Sequence, residues 1–371
     1  MNGFDIPFIG LQRQYQQLKT EILDTVDSVL SSGHLMSGEH TAKFEHWLAE
    51  KNQVQYAITC HSGTQALEIL AAYSFQESVE QYFNPTVLVP AFSFPATASA
   101  FAKTGWDLYF IDVDSDGCLD VAKIPEEVDY HTVVLVGLYG TSVLEKYVHQ
   151  SAWTQWMFDQ VNIVEDAAQH WLSDDCTRIA NSAVSFDPTK NLANHGNGGA
   201  VLTNDSQLAE FARAWATHGK PKHNMPCSNS RMSELDCATL MIKTHHIDRW
   251  QQRRLQIADY WQKHFADLPV RCLINESNRD THACQKFVIE TDHRNQIKQR
   301  LEQAGIETKI HYERPLHEIE AFSSFANPGY LTCASSLARR VLSLPIYPEL
   351  TDAEVEYIKN QVVDCVSAVH S

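Results

Sequence analysis

Apolar residues recur at helical spacing along the first part of the chain. In YQQLKTEILDTVDSVLSSG, Leu18, Ile22, Val26 and Val29 share one face and the pattern stops at Gly33, which predicts a helix closed by glycine. AKFEHWLAEK predicts a second amphipathic helix. TQALEILAAYSF predicts a third, with Ala66, Leu67, Leu70 and Tyr73 together and Ser62-Gly63-Thr64 as its capping entry. The period then changes. TVLVP, DLYFIDVD, TVVLVGLY, VNIVED, AVSF and AVLTN are short apolar runs separated by helical stretches, the pattern of a parallel sheet covered on both faces. QLAEFARAWATHG follows as a helix.

From about Ile247 the texture shifts again. A long charged helix, RWQQRRLQIADYWQKHFADL, leads to QKFVIET, a helix NQIKQRLEQAG, a strand ETKIHY and a last helix DAEVEYIKNQVVDCVSAV. The fold class expected is α/β. A large domain with a mostly parallel sheet takes residues 1–246 and a smaller C-terminal α+β domain takes 247–371.

Composition narrows the function classes. Acidic residues outnumber basic ones by 46 to 29, a formal net charge of −17, and no basic stripe reverses it locally, so nucleic acid is excluded as a partner. The nine cysteines are scattered without a CxxC pair, which indicates neither a zinc site nor a disulfide framework. The start MNGFDIPFIG lacks signal-peptide order, and no apolar run approaches the ~18–20 residues that span a bilayer, so a cytoplasmic protein away from membranes is expected. No metal site is expected either. Asp112, Asp114, Asp116 and Gly117 imitate the start of a calcium loop, but Lys123 occupies the twelfth position, where such a loop needs a bidentate glutamate. These acids are expected to be solvated at a strand exit, His245-His246 to be a surface pair, and HGNGG to make a tight turn into AVLTN.

Candidate chemistry begins at VNIVED, whose Glu165 and Asp166 fall at the carboxyl end of a strand, where parallel sheets bind ligands. A helix-capping aspartate is the competing reading. Lys190 follows 24 residues after Asp166, just past another short strand, in SFDPTKNL. An amine and a carboxylate placed in this way suit pyridoxal phosphate, whose aldehyde needs a lysine and whose pyridine nitrogen needs an acid to stay protonated. The phosphate needs a helix N-terminus, and Ser62-Gly63-Thr64-Gln65 supplies one, with a glycine for close approach. In VPAFSFPATA, Phe92 is expected in the core, while Phe94 can face a ring.

These stretches resemble, in order, the DegT/StrS group of sugar aminotransferases, which have the aspartate aminotransferase type of fold. The matching motifs are IPFIGLQRQY, SGTQAL, VPAFSFPATA, FIDVD, LYG, VEDAAQ, SFDPTKNL, GNGGAVLTND, NSRMSEL, KIHYERPLH and LSLPIYPELTDAEVEYI. The resemblance implies pyridoxal 5'-phosphate as cofactor, with Lys190 as the Schiff-base lysine and Asp166 as partner of the pyridine nitrogen. It places Gln169 on the ring's phenolic oxygen, Phe94 on the ring face, and Gly63, Thr64, Gln65 and Ser185 around the phosphate. Asn229 would reach the phosphate of a neighbouring subunit, which implies a homodimer with shared active sites. Tyr312 and His317 are expected on the substrate side.

The implied reaction takes an amino group from glutamate to a keto sugar, nucleotide-linked, in surface-polysaccharide, lipopolysaccharide or deoxysugar biosynthesis. A cyclitol acceptor and a non-catalytic binding or regulatory relative are the alternatives. Departures from the family pattern occur at Gly137, His170, Trp171, Asp187, Asp236 and across 141–160. They touch no cofactor group and bear on the sugar pocket.

Overall fold

The structure is a computed structural model and describes residues 5–79, 82–147, 161–173, 181–223, 225, 227–274, 281–325, 329 and 331–370. Two amphipathic helices come first, α1 (Leu11–Ser32) and α2 (Glu39–Lys51). Helix α1 buries Leu18, Ile22 and Val29 and ends at Gly33, whose φ of 68° lies in the left-handed region where glycine costs least.

Then follow β1 (Tyr56–Cys60), α3 (Gly63–Val79), β2 (Thr86–Pro90), α4 (Pro95–Thr104), β3 (Asp107–Ile111), β4 (Thr132–Val136), α5 (Val143–Tyr147), β5 (Asn162–Asp166), β6 (Asn181–Ser185) and β7 (Gly199–Thr203). They form a seven-stranded sheet in the order β1-β7-β6-β5-β4-β2-β3, parallel except for β7, which runs against both neighbours. Strands β4 and β7 are buried at every position, as strands covered on both faces must be.

The helices α6 (Ser206–Trp215), α7 (Glu234–Thr244) and α8 (Ile247–Phe265) lead to β8 (Arg271–Cys272) and β9 (Phe287–Glu290). Helices α9 (Arg294–Gln303) and α10 (Thr332–Arg340), strand β10 (Val341–Leu344) and α11 (Asp352–His370) complete the chain. Strands β8, β9 and β10 make a separate antiparallel sheet. Its core joins Trp261, Phe265, Phe287 and Ile297 to Ile358 and Val362, and draws in Ile6 from the opposite end of the chain.

Three expectations change. YAITC is a strand that the periodicity did not separate from its surroundings. ETKIHY is not one, because among its residues only Lys309 makes a bridge, an isolated one with Ser343. The acids that imitate a calcium loop are internally engaged, not solvated. Asp112 accepts from the N–H groups of Cys333 and Ala334 at the start of α10, and Lys146 Nζ lies 2.7 Å from Asp114 and 2.8 Å from Asp116. Among the described residues no group of histidine, cysteine, aspartate and glutamate side chains is arranged to hold a metal ion. None of the helices searched is long and apolar enough to cross a membrane.

Candidate active site

The parallel strands bring their carboxyl ends to one edge. Asp166 ends β5, Ser185 ends β6, and β1 runs out at Cys60 into Ser62-Gly63. Because β7 is antiparallel, its first residue, Gly199, lies at that edge too, in register with Cys60 on one side and Ser185 on the other. A cavity of about 430 Å³ opens there. Gly63, Thr64, Phe94, Asp166, Gln169, Ser185, Lys190 and Tyr312 all line it.

The amine is presented by a turn. The Lys190 N–H donates to Asp187 O at 2.8 Å, closing a four-residue turn with aspartate first and proline second, the residue order that favours this geometry. Asp187 Oδ1 accepts from the Thr189 N–H at 2.9 Å and from Thr189 Oγ1 at 2.6 Å, so the departure at 187 locks the turn that carries the lysine. Burial pushes the Lys190 amine below the ordinary lysine range, against the pull of Asp166 and Asp187. A lowered amine is easier to have unprotonated, which nucleophilic attack and proton transfer both require.

Asp166 is buried, and its carboxylate is held from two sides. Thr97 Oγ1 donates to Oδ2 at 2.7 Å and the Ala168 N–H donates to Oδ1 at 3.2 Å. Ser93 Oγ and Thr97 Oγ1 lie 2.8 Å apart, extending the chain. Thr97 was not singled out in the sequence. Its signal, a hydroxyl one turn into the helix after VPAFSFP, cannot be separated from an ordinary helical threonine.

Gln169 has a fixed orientation. A backbone N–H can only donate, so the side-chain atom 2.7 Å from the Tyr139 N–H must be the oxygen, and the amide NH₂ points at Tyr312 Oη, 2.9 Å away. The cavity therefore holds a donor at this wall. Burial raises the Tyr312 phenol, so it stays protonated at neutral pH.

The entry to α3 lines another part of the cavity. Ser62 Oγ caps α3 by accepting from the Gln65 N–H at 3.1 Å. Gln65 itself is not among the lining residues, and its side chain turns to Glu68 at 3.2 Å. Close approach makes the glycines necessary. A Cβ at Gly63 would lie 2.6 Å from Ser185 Cβ, and one at Gly199 would lie 2.3 Å from the Ser62 carbonyl carbon. Asn197 and Gly198, expected only to turn the chain, also line the cavity.

Phe94 is the exposed aromatic of the pair, with its ring 5.9 Å from that of Tyr312, while Phe92 is fully buried. Besides Gln65, two predicted residues are not in the cavity lining. Asn229 is exposed and bridges to Thr217. His317 sits on the short turn Leu316–Glu318, with Nε2 3.7 Å from Glu318.

Most of the departures have a physical account. A Cβ at Gly137 would fall 2.2 Å from His170 Nδ1, so the glycine there and the histidine at 170 are one coupled change. The buried His170 Nε2 is 2.6 Å from Glu165, which also accepts from Ser182 Oγ at 2.6 Å. Trp171 is buried and packs edge-on against Phe186. Asp236 completes a capping box with Ser233 and accepts from Asn194 at 2.9 Å. Residues 148–160 lie outside the described residues.

Residues 16–363 match the model of the DegT/DnrJ/EryC1/StrS aminotransferase family. A dTDP-3-amino-3,4,6-trideoxy-alpha-D-glucose transaminase of Streptomyces venezuelae is 32% identical over 93% of this chain and 92% of its own. A protein of Geobacillus stearothermophilus called a pleiotropic regulatory protein is 32% identical over 97% of this chain and 98% of its own. The crystal structure of S. venezuelae DesV in complex with a ketimine intermediate superposes with a TM-score of 0.86 at 28% identity, covering 97% of this chain and 98% of that one.

Proposed function

The chain belongs to the DegT/DnrJ/EryC1/StrS aminotransferase family, and we propose that it carries the amino group of glutamate to a keto sugar linked to a nucleoside diphosphate. It is a pyridoxal phosphate-dependent aminotransferase. The residues present fit that cofactor. One cavity is lined by a lysine amine with lowered basicity, a doubly held carboxylate, an amide NH₂ and a glycine-tight helix N-terminus. The observation that carries the reading is that Lys190 and Asp166, 24 residues apart in sequence, line this single cavity together with Gly63 and Ser185.

When bound, pyridoxal phosphate supplies an aldehyde for amines and a ring that accepts the electron pair left as the α-proton departs. Lys190 would hold the cofactor through its amine and, when that amine is free, would carry the substrate's α-proton. Asp166, oriented by Thr97 and the Ala168 N–H, would hold the pyridine nitrogen protonated. Gln169 donates to the phenolic oxygen. The first turn of α3 binds the phosphate with Ser185, its backbone N–H groups and helix dipole favouring the anion. Phe94 covers the ring face. Asn229, exposed and away from its own cavity, reaches the phosphate of a second subunit, so the working unit is a homodimer.

A non-catalytic, regulatory reading predicts loss of the amine or of its acid, and both are present. Borohydride treatment of the yellow holoenzyme, followed by peptide mass analysis, is expected to fix the cofactor on Lys190. A panel of keto nucleotide sugars with glutamate is expected to release 2-oxoglutarate. Fixation elsewhere, or no release with any acceptor, would overturn the assignment.

A further inference from the structure

A second lysine lines the same cavity. Lys286 immediately precedes β9, its N–H donates to Tyr139 O at 3.1 Å, and it is only 5% exposed. Buried ammonium and guanidinium groups need acceptors and, Lys190 apart, the others among the described residues have them. Lys243 donates to Ala193 O, Arg254 to Ile346 O at 2.6 Å, and Arg294 to Ala338 O and Val341 O at 3.3 Å. Lys286 differs. Among the described residues it has no carboxylate at ion-pair distance and no hydrogen-bond acceptor, and its ammonium lies 5.8 Å from the centre of the Phe8 ring.

An unpaired buried cation that faces a substrate cavity is a receptor without its anion. The cofactor phosphate is not that anion, because its cradle is built on the other sheet, at the ends of β1, β6 and β7. Lys190 is committed to the cofactor. The substrates bring anions of their own. Glutamate and its keto product are dicarboxylates, and an acidic sugar acceptor adds another carboxylate.

We propose that Lys286 Nζ receives a carboxylate of the substrate, making it a specificity-determining residue of the amination cavity. The inference rests on the aminotransferase reading for its identification of the ligands. Burial, reinforced by Lys190 and Arg254, pushes the Lys286 amine down. An arriving carboxylate reverses that by favouring the charged form.

The test uses holoenzyme and two unreactive probes, with binding read by calorimetry. Glutarate represents the amino donor, and UDP-glucuronate compared with UDP-glucose represents an acidic sugar. Lys286→Met is expected to weaken glutarate binding by about 30-fold or more, the range for removing a charge-assisted hydrogen bond, with Lys286→Arg restoring most of it. Loss of glutarate binding assigns the carboxylate to the donor. Loss of the preference for UDP-glucuronate, with glutarate unchanged, assigns it to the sugar. Lys286→Met should also melt no lower than wild type, because it removes an unpaired buried charge, whereas a residue needed only for packing would lower the melting temperature.

Unchanged affinity for both probes, or a wild type that binds neither, overturns the proposal. The underlying reading fails separately, and visibly, if wild-type holoenzyme shows no cofactor absorbance change with glutamate.

Discussion

The substitution Gly63→Ala probes the anion cradle at one methyl group. Two effects oppose each other. Gly63 is the first residue of α3, and alanine there should favour the helix by roughly 0.5–1 kcal/mol. The added Cβ, however, would lie 2.6 Å from Ser185 Cβ, 3.1 Å from its Oγ and 3.2 Å from its Cα. Carbon atoms rest ~3.5–4.0 Å apart, so the helix must withdraw from β6 by about 1 Å, and overpacking of this kind costs ~1–3 kcal/mol. The clash wins.

Where that cost appears depends on when it is relieved. If the free protein relaxes and cofactor binding restores the tight geometry, pyridoxal phosphate affinity falls by roughly 5- to 150-fold, at about 1.4 kcal/mol per factor of ten. If the strain is borne in both states, the melting temperature falls by several degrees instead. Absorbance titration of apoprotein with pyridoxal phosphate and a thermal melt of the same sample separate the two. Gly196→Ala is the control, because nothing lies within 4 Å of its Cβ position. A Gly63→Ala protein with wild-type affinity and wild-type melting would refute the close-approach argument.

Asp166→Asn is expected to leave folding within ~1 kcal/mol, since the amide oxygen still accepts from the Ala168 N–H and the Thr97 hydroxyl can turn to accept from the amide NH₂, while slowing turnover by at least ~10²-fold; steady-state rates near wild type would refute the pyridinium role. Asp187→Ala removes two acceptor contacts of the turn and an acid that raises the Lys190 amine, so the pH midpoint for cofactor uptake by apoprotein should move down; an upward shift would contradict the electrostatics. Lys243 is pushed down to about 8 by burial. Its folded pKa is below its unfolded value, so its penalty is full below about pH 8 and is relieved as pH rises from there toward 10.5. The shift corresponds to about 3 kcal/mol, less ~1 kcal/mol for the bond to Ala193 O, so Lys243→Met should gain about 2 kcal/mol at pH 7 in urea unfolding; a gain that does not shrink between pH 8 and 10.5 would refute the linkage.

Much of the architecture was legible because local chemistry and tertiary demand agree. The helix ending at Gly33, the buried runs of β2, β4 and β5, and the Asp-Pro turn before Lys190 each follow from residue types at short separation. Periodicity does not separate the strand at Tyr56–Cys60 and gives 307–312 the pattern of one, because pairing is settled by partners far away in sequence. Tyr56 pairs with Thr203, whereas Lys309 finds only Ser343.

The site divides along the same line. The sequence by itself determined which groups were available: an amine on a turn, an acid at a strand end, a glycine at a helix entry. Only the tertiary structure decided what each one faces. It placed Thr97 on Asp166, fixed the direction of the Gln169 amide through Tyr139, and joined Gly137 to His170 as one exchange of volume. It also brought Lys286, one lysine among many in the sequence, into the cavity with no carboxylate at ion-pair distance among the described residues. Contacts between residues tens to hundreds of positions apart leave no periodic trace, since periodicity records only which face of an element is covered and not what covers it.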